Sequence, residues 1–207
     1  MITVPRLLTL IGCSMSVACS TPQQTAALEC GVGAAAVSFA LCRLVGGNTG
    51  ACAGIGAGVG AGGGAACYGL ADHLEKDREV LAGKENDLTA RLQYVQRVNA
   101  DSEKYLAQLQ KSLQDTRQQT DDIVAGTEQN RYSAKQIADA KAAINKQSAD
   151  AQRETDATAR AYADMKQYQA RHPHQSSQLD ARTADLLRLR DAMQRDTTAL
   201  ASQSQRI

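Results

Sequence analysis

This chain of 207 residues has no tryptophan, a single phenylalanine (Phe39) and three prolines (Pro5, Pro22 and Pro173). Large aromatic side chains therefore contribute little to any core. Between Pro22 and Pro173 every residue keeps the backbone N–H that a helix requires, so long uninterrupted helices are allowed. The formal net charge of +1 gives no electrostatic reason to expect a nucleic-acid partner.

Cysteine and charge divide the chain into two unlike regions. No cysteine follows Cys67, and residues 1–71 carry only three charged side chains, Arg6, Glu29 and Arg43. The region from Asp72 onwards is rich in Ala, Gln, Leu and intermixed acidic and basic residues. Such a composition is typical of long solvent-exposed helices or coiled coils.

Residues that commonly carry catalysis or bind metals are few. The only histidines are His73, His172 and His174, and two histidines flanking a proline do not make a metal site. The sequence has no P-loop, GxSxG or HExxH motif. We therefore expect neither an enzyme nor a cofactor nor a bound metal.

The N-terminus has the pattern of a secretory signal. A short positive start ends at Arg6, Leu7–Ile11 is apolar, and mostly small residues continue to Cys19. This stretch is too short to span a bilayer as a mature helix. We therefore predict that residues 1–18 are a signal peptide and that the mature chain lies outside the cytosol.

Ser16-Val17-Ala18-Cys19 resembles a bacterial lipobox, which implies cleavage before Cys19 and lipidation of that cysteine. Residues 19–25 would then be a lipidated linker. Leu10-Ile11-Gly12-Cys13 fits the motif better but leaves a very short signal, so we expect Cys19 and keep Cys13 as the alternative. An ordinary signal followed by an unmodified cysteine is a further alternative. Ser20 after the cysteine implies, by the same resemblance, an outer-membrane lipoprotein facing the periplasm.

Residues 26–71 form two apolar, glycine-rich stretches separated by Gly47-Asn48-Thr49, which is a strong turn signal. Glycines recur every four residues, so each set shares one helical face that allows a second helix to approach closely. The two sets are Gly50, Gly54, Gly58 and Gly62, and Gly56, Gly60 and Gly64. This pattern resembles the glycine-zipper segment of small bacterial envelope lipoproteins, which implies a two-helix membrane hairpin.

The four cysteines inside this segment are placed symmetrically about its turn. The midpoint of the sequence between Cys30 and Cys67 lies close to Gly47-Asn48-Thr49, and so does the midpoint between Cys42 and Cys52. Facing residues of an antiparallel helical hairpin share such a centre, so we predict the disulfides Cys30–Cys67 and Cys42–Cys52. Four buried free thiols are the alternative.

Residues 72–207 show the apolar periodicity of long helices. We predict one helix from Asp72, where Asp72 and Glu75 resemble a capping box, to Val124, with Gly126 as its terminating glycine. Its apolar seam follows alternating spacings of four and three residues: Leu81, Glu85, Leu88, Leu92, Val95, Asn99, Ser102, Leu106, Leu109, Leu113, Thr116, Thr120 and Ile123.

Two further helices follow. One begins near Ser133, where Ser133 and Gln136 match a capping box, and ends at His172-Pro173. The other opens at Ser177, and Leu179, Leu186, Met193 and Leu200 then recur every seven residues. The apolar seam of the helix that begins near Ser133 is less regular, and its members are Ala134, Ile137, Ile144, Ala151, Tyr162 and Met165.

The fold class expected from these patterns is all-α, with a glycine-rich helical hairpin followed by long helices in a coiled coil or an antiparallel bundle. A parallel oligomer through the seam that begins at Leu81 is the main competitor. A fraying, solvated helical tail is a third possibility.

Three functions fit this architecture. The first is a lipid-anchored envelope lipoprotein whose helical tail binds a protein partner or self-associates. The second is a membrane-active protein whose glycine zippers oligomerise and form pores. The third is an accessory subunit of a secretion or envelope complex, which differs from the first in having a dedicated partner.

Overall fold

The computed structural model describes residues 69–173 and 176–207, and within these ranges the chain forms four α-helices and no strand. They are α1 (Leu70–Leu81), α2 (Leu88–Glu128), α3 (Ala134–Arg171) and α4 (Ser177–Arg206). The all-α class expected from the sequence is confirmed for this part of the chain.

Contacts between side chains give the directions of the three long helices. Arg91 near the start of α2 bonds to Asp164 near the end of α3, and Thr155 of α3 bonds to Thr197 of α4. Arg206 at the end of α4 reaches Asp121 near the end of α2. The three helices therefore run up, down and up, and their packing is bundle-like.

One seven-residue repeat supplies the contribution of α4 to the core. Its four members are at most 2% exposed: Leu179, Leu186, Met193 and Leu200. They belong to one apolar cluster with residues of α1, α2 and α3. Burying side chains of this size contributes about 1.5–3 kcal/mol each relative to exposure, so the repeat read from the sequence is a principal stabilising element.

Polar side chains define the starts of the long helices. Asp87 accepts hydrogen bonds from the N–H groups of Thr89 and Ala90 at the start of α2. Ser133 and Gln136 form the predicted capping box of α3. The Gln136 N–H donates to Ser133 Oγ, and the Ser133 N–H donates to Gln136 Oε1. Ser176 caps α4 by accepting from the Leu179 N–H. Each cap satisfies donors that have no partner within the helix.

The prediction of one continuous helix from Asp72 to Val124 is wrong, because the helix ends at Leu81 and a new one begins at Leu88. Gly83 has a φ of 78°, a left-handed conformation that glycine adopts without steric cost. The Asp72–Glu75 capping box is also wrong, since α1 already begins at Leu70 and Asp72 lies within its first turn.

Gly126 does not terminate α2, which continues to Glu128. Asn130 instead adopts a positive φ of 55° beyond the helix end. Gly126 is buried, and a Cβ there would lie 2.8 Å from Tyr132 Cδ2. This glycine therefore permits the close approach of the Tyr132 ring rather than a left-handed turn.

Most of the predicted seam of α2 is buried, including its polar members Asn99, Ser102, Thr116 and Thr120. Glu85 is exposed and lies outside α2, in the connection from α1. In α3, Ile144, Ala151 and Met165 are buried, whereas Ala134 is exposed. The α3 seam therefore begins later than the sequence pattern predicts.

Candidate functional site

The short helix α1 packs chiefly against α2 and α3, and we call the surface that it covers the α1 groove. Leu70, Leu74 and Leu81 of α1 are 3–4% exposed. They belong to the same apolar cluster as Tyr94, Val95, Val98, Ala157 and Ala161, which lie on α2 and α3. The helix that immediately follows the cysteine-rich region is thus bound along the side of the long helices.

A buried carboxylate holds the N-terminus of α1. The Ala71 N–H donates to Glu154 Oε2 at 2.5 Å, and Glu154 is 8% exposed. Burial raises the pKa of Glu154, while the hydrogen bond from Ala71 acts in the opposite direction. A negative charge at a helix N-terminus is favourable because the exposed N–H groups carry partial positive charge.

Two ion pairs attach α1 to both walls of the groove. Arg97 Nε donates to Asp77 Oδ1 at 2.6 Å on the α2 side, and Asp77 is 16% exposed. Arg153 Nη2 lies 3.4 Å from Asp72 Oδ1 on the α3 side, where both side chains are largely exposed. Exposed pairs contribute little to stability, so the apolar contacts provide most of the docking energy and the ion pairs help to set its register.

Arg91 connects the α1–α2 linker to α3. Its side chain is 2% exposed. Arg91 Nε donates to the Glu85 carbonyl at 2.8 Å, and Nη1 donates to Asp164 Oδ2 at 2.6 Å. Its guanidinium lies 4.9 Å from the centroid of the Tyr168 ring. An arginine removed from water requires such partners for its charge, so the linker position is fixed by this network.

Tyr94 lies at the base of the groove and does not ionise near neutral pH. Burial, assisted by the negative charge of Asp164, raises the pKa of Tyr94 to about 12. Tyr94, Tyr105 and Tyr168 are all buried. The helical positions of Tyr94, Tyr105, Tyr162 and Tyr168 predict packing roles. The structure agrees for the three buried rings, and Tyr162, which is half-buried, packs against the same apolar cluster.

The cavity between α1, α2 and α3 is small, with a volume of about 30 Å³. Leu74, Arg78, Tyr94, Arg160 and Asp164 contribute to its lining. A volume of this order holds a water molecule and is far below the several hundred Å³ of drug-sized ligand sites. This cavity is therefore too small for a drug-sized organic molecule.

Several hydroxyl groups are buried between the long helices. Thr155 Oγ1 and Thr197 Oγ1 lie 3.1 Å apart, and Thr155 also donates to the Ala151 carbonyl. Ser102 and Thr120 are fully buried, and within the described residues their hydroxyl oxygens have no hydrogen-bond partner. Unpartnered buried hydroxyls weaken a core, so this interior is less stable than an aliphatic one of equal size.

The site residues predicted from sequence lie outside the described residues. These are Cys19, the four cysteines of the predicted disulfides, and the seven glycines of the predicted zipper: Cys30, Cys42, Cys52, Cys67, Gly50, Gly54, Gly56, Gly58, Gly60, Gly62 and Gly64. The lipidation, disulfide and helix-packing predictions stay predictions. Sequence reasoning did not find Glu154, Arg91 or Asp164, because their bonds join positions that are 83 and 73 residues apart.

The chain matches no protein-family model, no curated protein and no solved structure. Across residues 69–173 and 176–207, no cluster of three or more potential metal ligands occurs. Over the same part of the chain, no helix combines the length and the hydropathy that a bilayer crossing requires.

Proposed function

We propose that this chain is a membrane-anchored envelope lipoprotein whose helical region, from α1 onwards, serves as a structural scaffold that binds a protein partner or a second copy. The anchor is lipid on Cys19, and the glycine-rich segment that precedes α1 contributes further membrane contact. The proposal requires no nucleic acid, no cofactor and no reaction.

The observation that carries this proposal is the docking of α1. A helix that directly follows the glycine-rich segment is held by three buried leucines, one buried carboxylate and two ion pairs. Force applied to the preceding segment is therefore transmitted to α2 and α3. A connection of this kind supports an anchored scaffold better than an independent domain on a loose tether.

Support for the anchor comes from the sequence pattern of a positive start, a short apolar run and a small-residue cleavage region before Cys19. Two or more acyl chains give stable membrane attachment, since each buried CH₂ contributes about 0.8 kcal/mol.

The test compares full-length wild type with Cys19→Ser and Cys13→Ser in cells supplied with labelled palmitate. We expect Cys19→Ser to lose label and to leave the membrane fraction, and Cys13→Ser to retain both. Globomycin should block processing of the wild-type precursor. The reverse pattern between the two variants assigns lipidation to Cys13. Unchanged processing, together with membrane-held Cys19→Ser, removes the lipid anchor from the proposal.

The four-residue glycine spacing favours a second candidate, a membrane-active protein that permeabilises bilayers. The protein would be added to dye-loaded vesicles and compared with a variant in which Gly54, Gly58 and Gly62 are changed to leucine. Leucine blocks close helix approach, so pore activity predicts dye release by wild type alone. Absence of release from either protein removes this candidate.

A further inference from the structure

The leucines of α1 are in heptad register with those of α2. Leu74, Leu81, Leu88 and Val95 are spaced seven residues apart, and the same spacing continues through Leu109 to Ile123. Nothing in this repeat marks the break between Leu81 and Leu88. The sequence therefore accommodates both a folded-back α1 and a single straight helix from Leu70 into α2.

The break itself depends on a few local features. Gly83 has a left-handed φ of 78°, and its N–H donates to Glu85 Oε1 at 2.8 Å. Asp87 caps the start of α2. The six-residue connection, 82–87, contains only exposed side chains. Helical conformation of these residues would lose the Asp87 cap and the bond from Arg91 Nε to the Glu85 carbonyl, but it would add backbone hydrogen bonds within the helix.

The pairing of α1 with α2 has a symmetric centre at this same connection. Asp77 pairs with Arg97, and His73 lies 4.0 Å from Asp101. In each pair the midpoint between the two residue numbers is 87. Helix α1 therefore runs antiparallel to α2, and the two segments are related by a reversal of the chain at residue 87. If the connection becomes helical, two copies placed about a two-fold axis at residue 87 reproduce both pairs between chains.

We propose that α1 is an exchangeable helix, and that a second copy of this chain is the partner whose α1 fits the α1 groove. In the exchanged dimer, Leu70, Leu74 and Leu81 of each copy occupy the groove formed by α2 and α3 of the other. All groove contacts are kept, because the same residues meet in both arrangements. The two-fold axis closes the assembly, so exchange gives a dimer and not a filament.

This inference deepens the partner-binding part of the proposed function and is independent of the lipid anchor. A short connection between two helices favours the exchange of one helix between copies, whereas a longer connection lets that helix fold back onto its own chain. The balance is therefore set by residues 82–87, whereas lipidation depends on the signal region. Palmitate labelling and dimer formation can fail separately.

The test measures the dimer fraction of the full-length chain in detergent by native mass spectrometry over a series of protein concentrations. Gly83→Ala disfavours the left-handed turn and favours helix, so the dimerisation constant should rise about tenfold or more. Asp87→Ala removes the cap of the broken form, and also the like charges that would meet at the two-fold axis. It should act in the same direction. Gly83→Asn is the matched control, because asparagine tolerates a left-handed φ.

Exchange is distinguished from other dimers by an isotope-mixing experiment. Arg97→Lys places an amine beside Asp77, and a carbodiimide then joins the two as an amide. Equal amounts of isotope-labelled and unlabelled Gly83→Ala/Arg97→Lys chains are unfolded together and refolded, so that dimers with one labelled and one unlabelled copy can form, and the masses of the joined peptides are then measured. Exchange predicts peptides that combine one labelled and one unlabelled partner. Dimers that give only peptides of uniform label overturn the proposal. A dimer fraction of Gly83→Ala that equals the dimer fraction of Gly83→Asn also overturns it.

Discussion

Arg91 donates to Asp164 across 2.6 Å while only 2% of the arginine side chain is exposed. The pair links α2 to α3 at the end of the molecule where the α1–α2 linker crosses. Breaking a buried pair leaves a charge without its counterion, and the cost exceeds that of most surface changes.

Asp164→Ala is therefore expected to lower the free energy of unfolding by about 2–3 kcal/mol, since Asp164 is itself partly exposed and water moderates the loss. Asp185→Ala removes the partner of Arg188 in an exposed pair and should change stability by less than about 0.5 kcal/mol. Urea unfolding followed by circular dichroism measures both. Equal effects would show that the Arg91 network is not stabilising.

Glu154 is expected to make stability depend on pH. Burial raises its pKa in the folded chain above the ordinary value of 4.5, so the folded state binds more protons than the unfolded state between those two pKa values. The contribution of Glu154 is then largest below pH 4.5 and falls as the pH rises through the raised pKa.

Glu154→Gln removes this titration and keeps an acceptor for the Ala71 N–H. The stability of the variant relative to wild type should therefore be greater at neutral pH than in acid. Glu154→Leu removes the acceptor as well, and it should cost about 1–2 kcal/mol by leaving that N–H unpaired. Unfolding curves across acidic and neutral pH give both differences, and a difference that does not vary with pH contradicts the assignment.

Gly126→Ala should destabilise the α2–α3 corner. Its new methyl group would overlap the Tyr132 ring, and overpacking of this kind costs about 1–3 kcal/mol. In a Tyr132→Ala background the overlap is gone, and the same change should be neutral or stabilising by up to about 1 kcal/mol through helix propensity. A double-mutant cycle by thermal unfolding tests this sign change. Additive effects would rule out the proposed overlap.

Two buried threonines are expected to respond oppositely to valine. Thr120 is 0% exposed and its hydroxyl has no partner among the described residues, whereas Thr155 bonds to Thr197 and to the Ala151 carbonyl. Thr120→Val should raise the free energy of unfolding by up to about 1 kcal/mol, and Thr155→Val should lower it by about 1 kcal/mol. Chemical denaturation of the two variants side by side measures the difference. Similar shifts in both would contradict it.

The elements that could be predicted from sequence are those set by local chemistry. The Ser133–Gln136 box fixes the start of α3, and His172-Pro173 marks its end, because capping and the restriction before proline act within a few residues. The heptad of α4 likewise identifies its buried face. These signals need no knowledge of distant parts of the chain.

The break after Leu81 could not be read from periodicity, because the leucine spacing continues across it. The choice between a straight and a folded helix depends on whether α1 gains more from the groove than the connection loses in helical hydrogen bonds. Likewise, the contacts of Glu154 with Ala71 and of Arg91 with Asp164 depend on how helices align after folding. Such cross-helix pairs leave no mark in the local sequence.

The direction of α1 decides where along α2 the chain enters. Its first turn lies beside Asp101, and α2 continues from there to Glu128, roughly 40 Å beyond the point where the chain enters. The chain therefore enters beside α2 at a point between its two ends, so a pull on the residues before Gly69 acts on the side of the long helices rather than at an end.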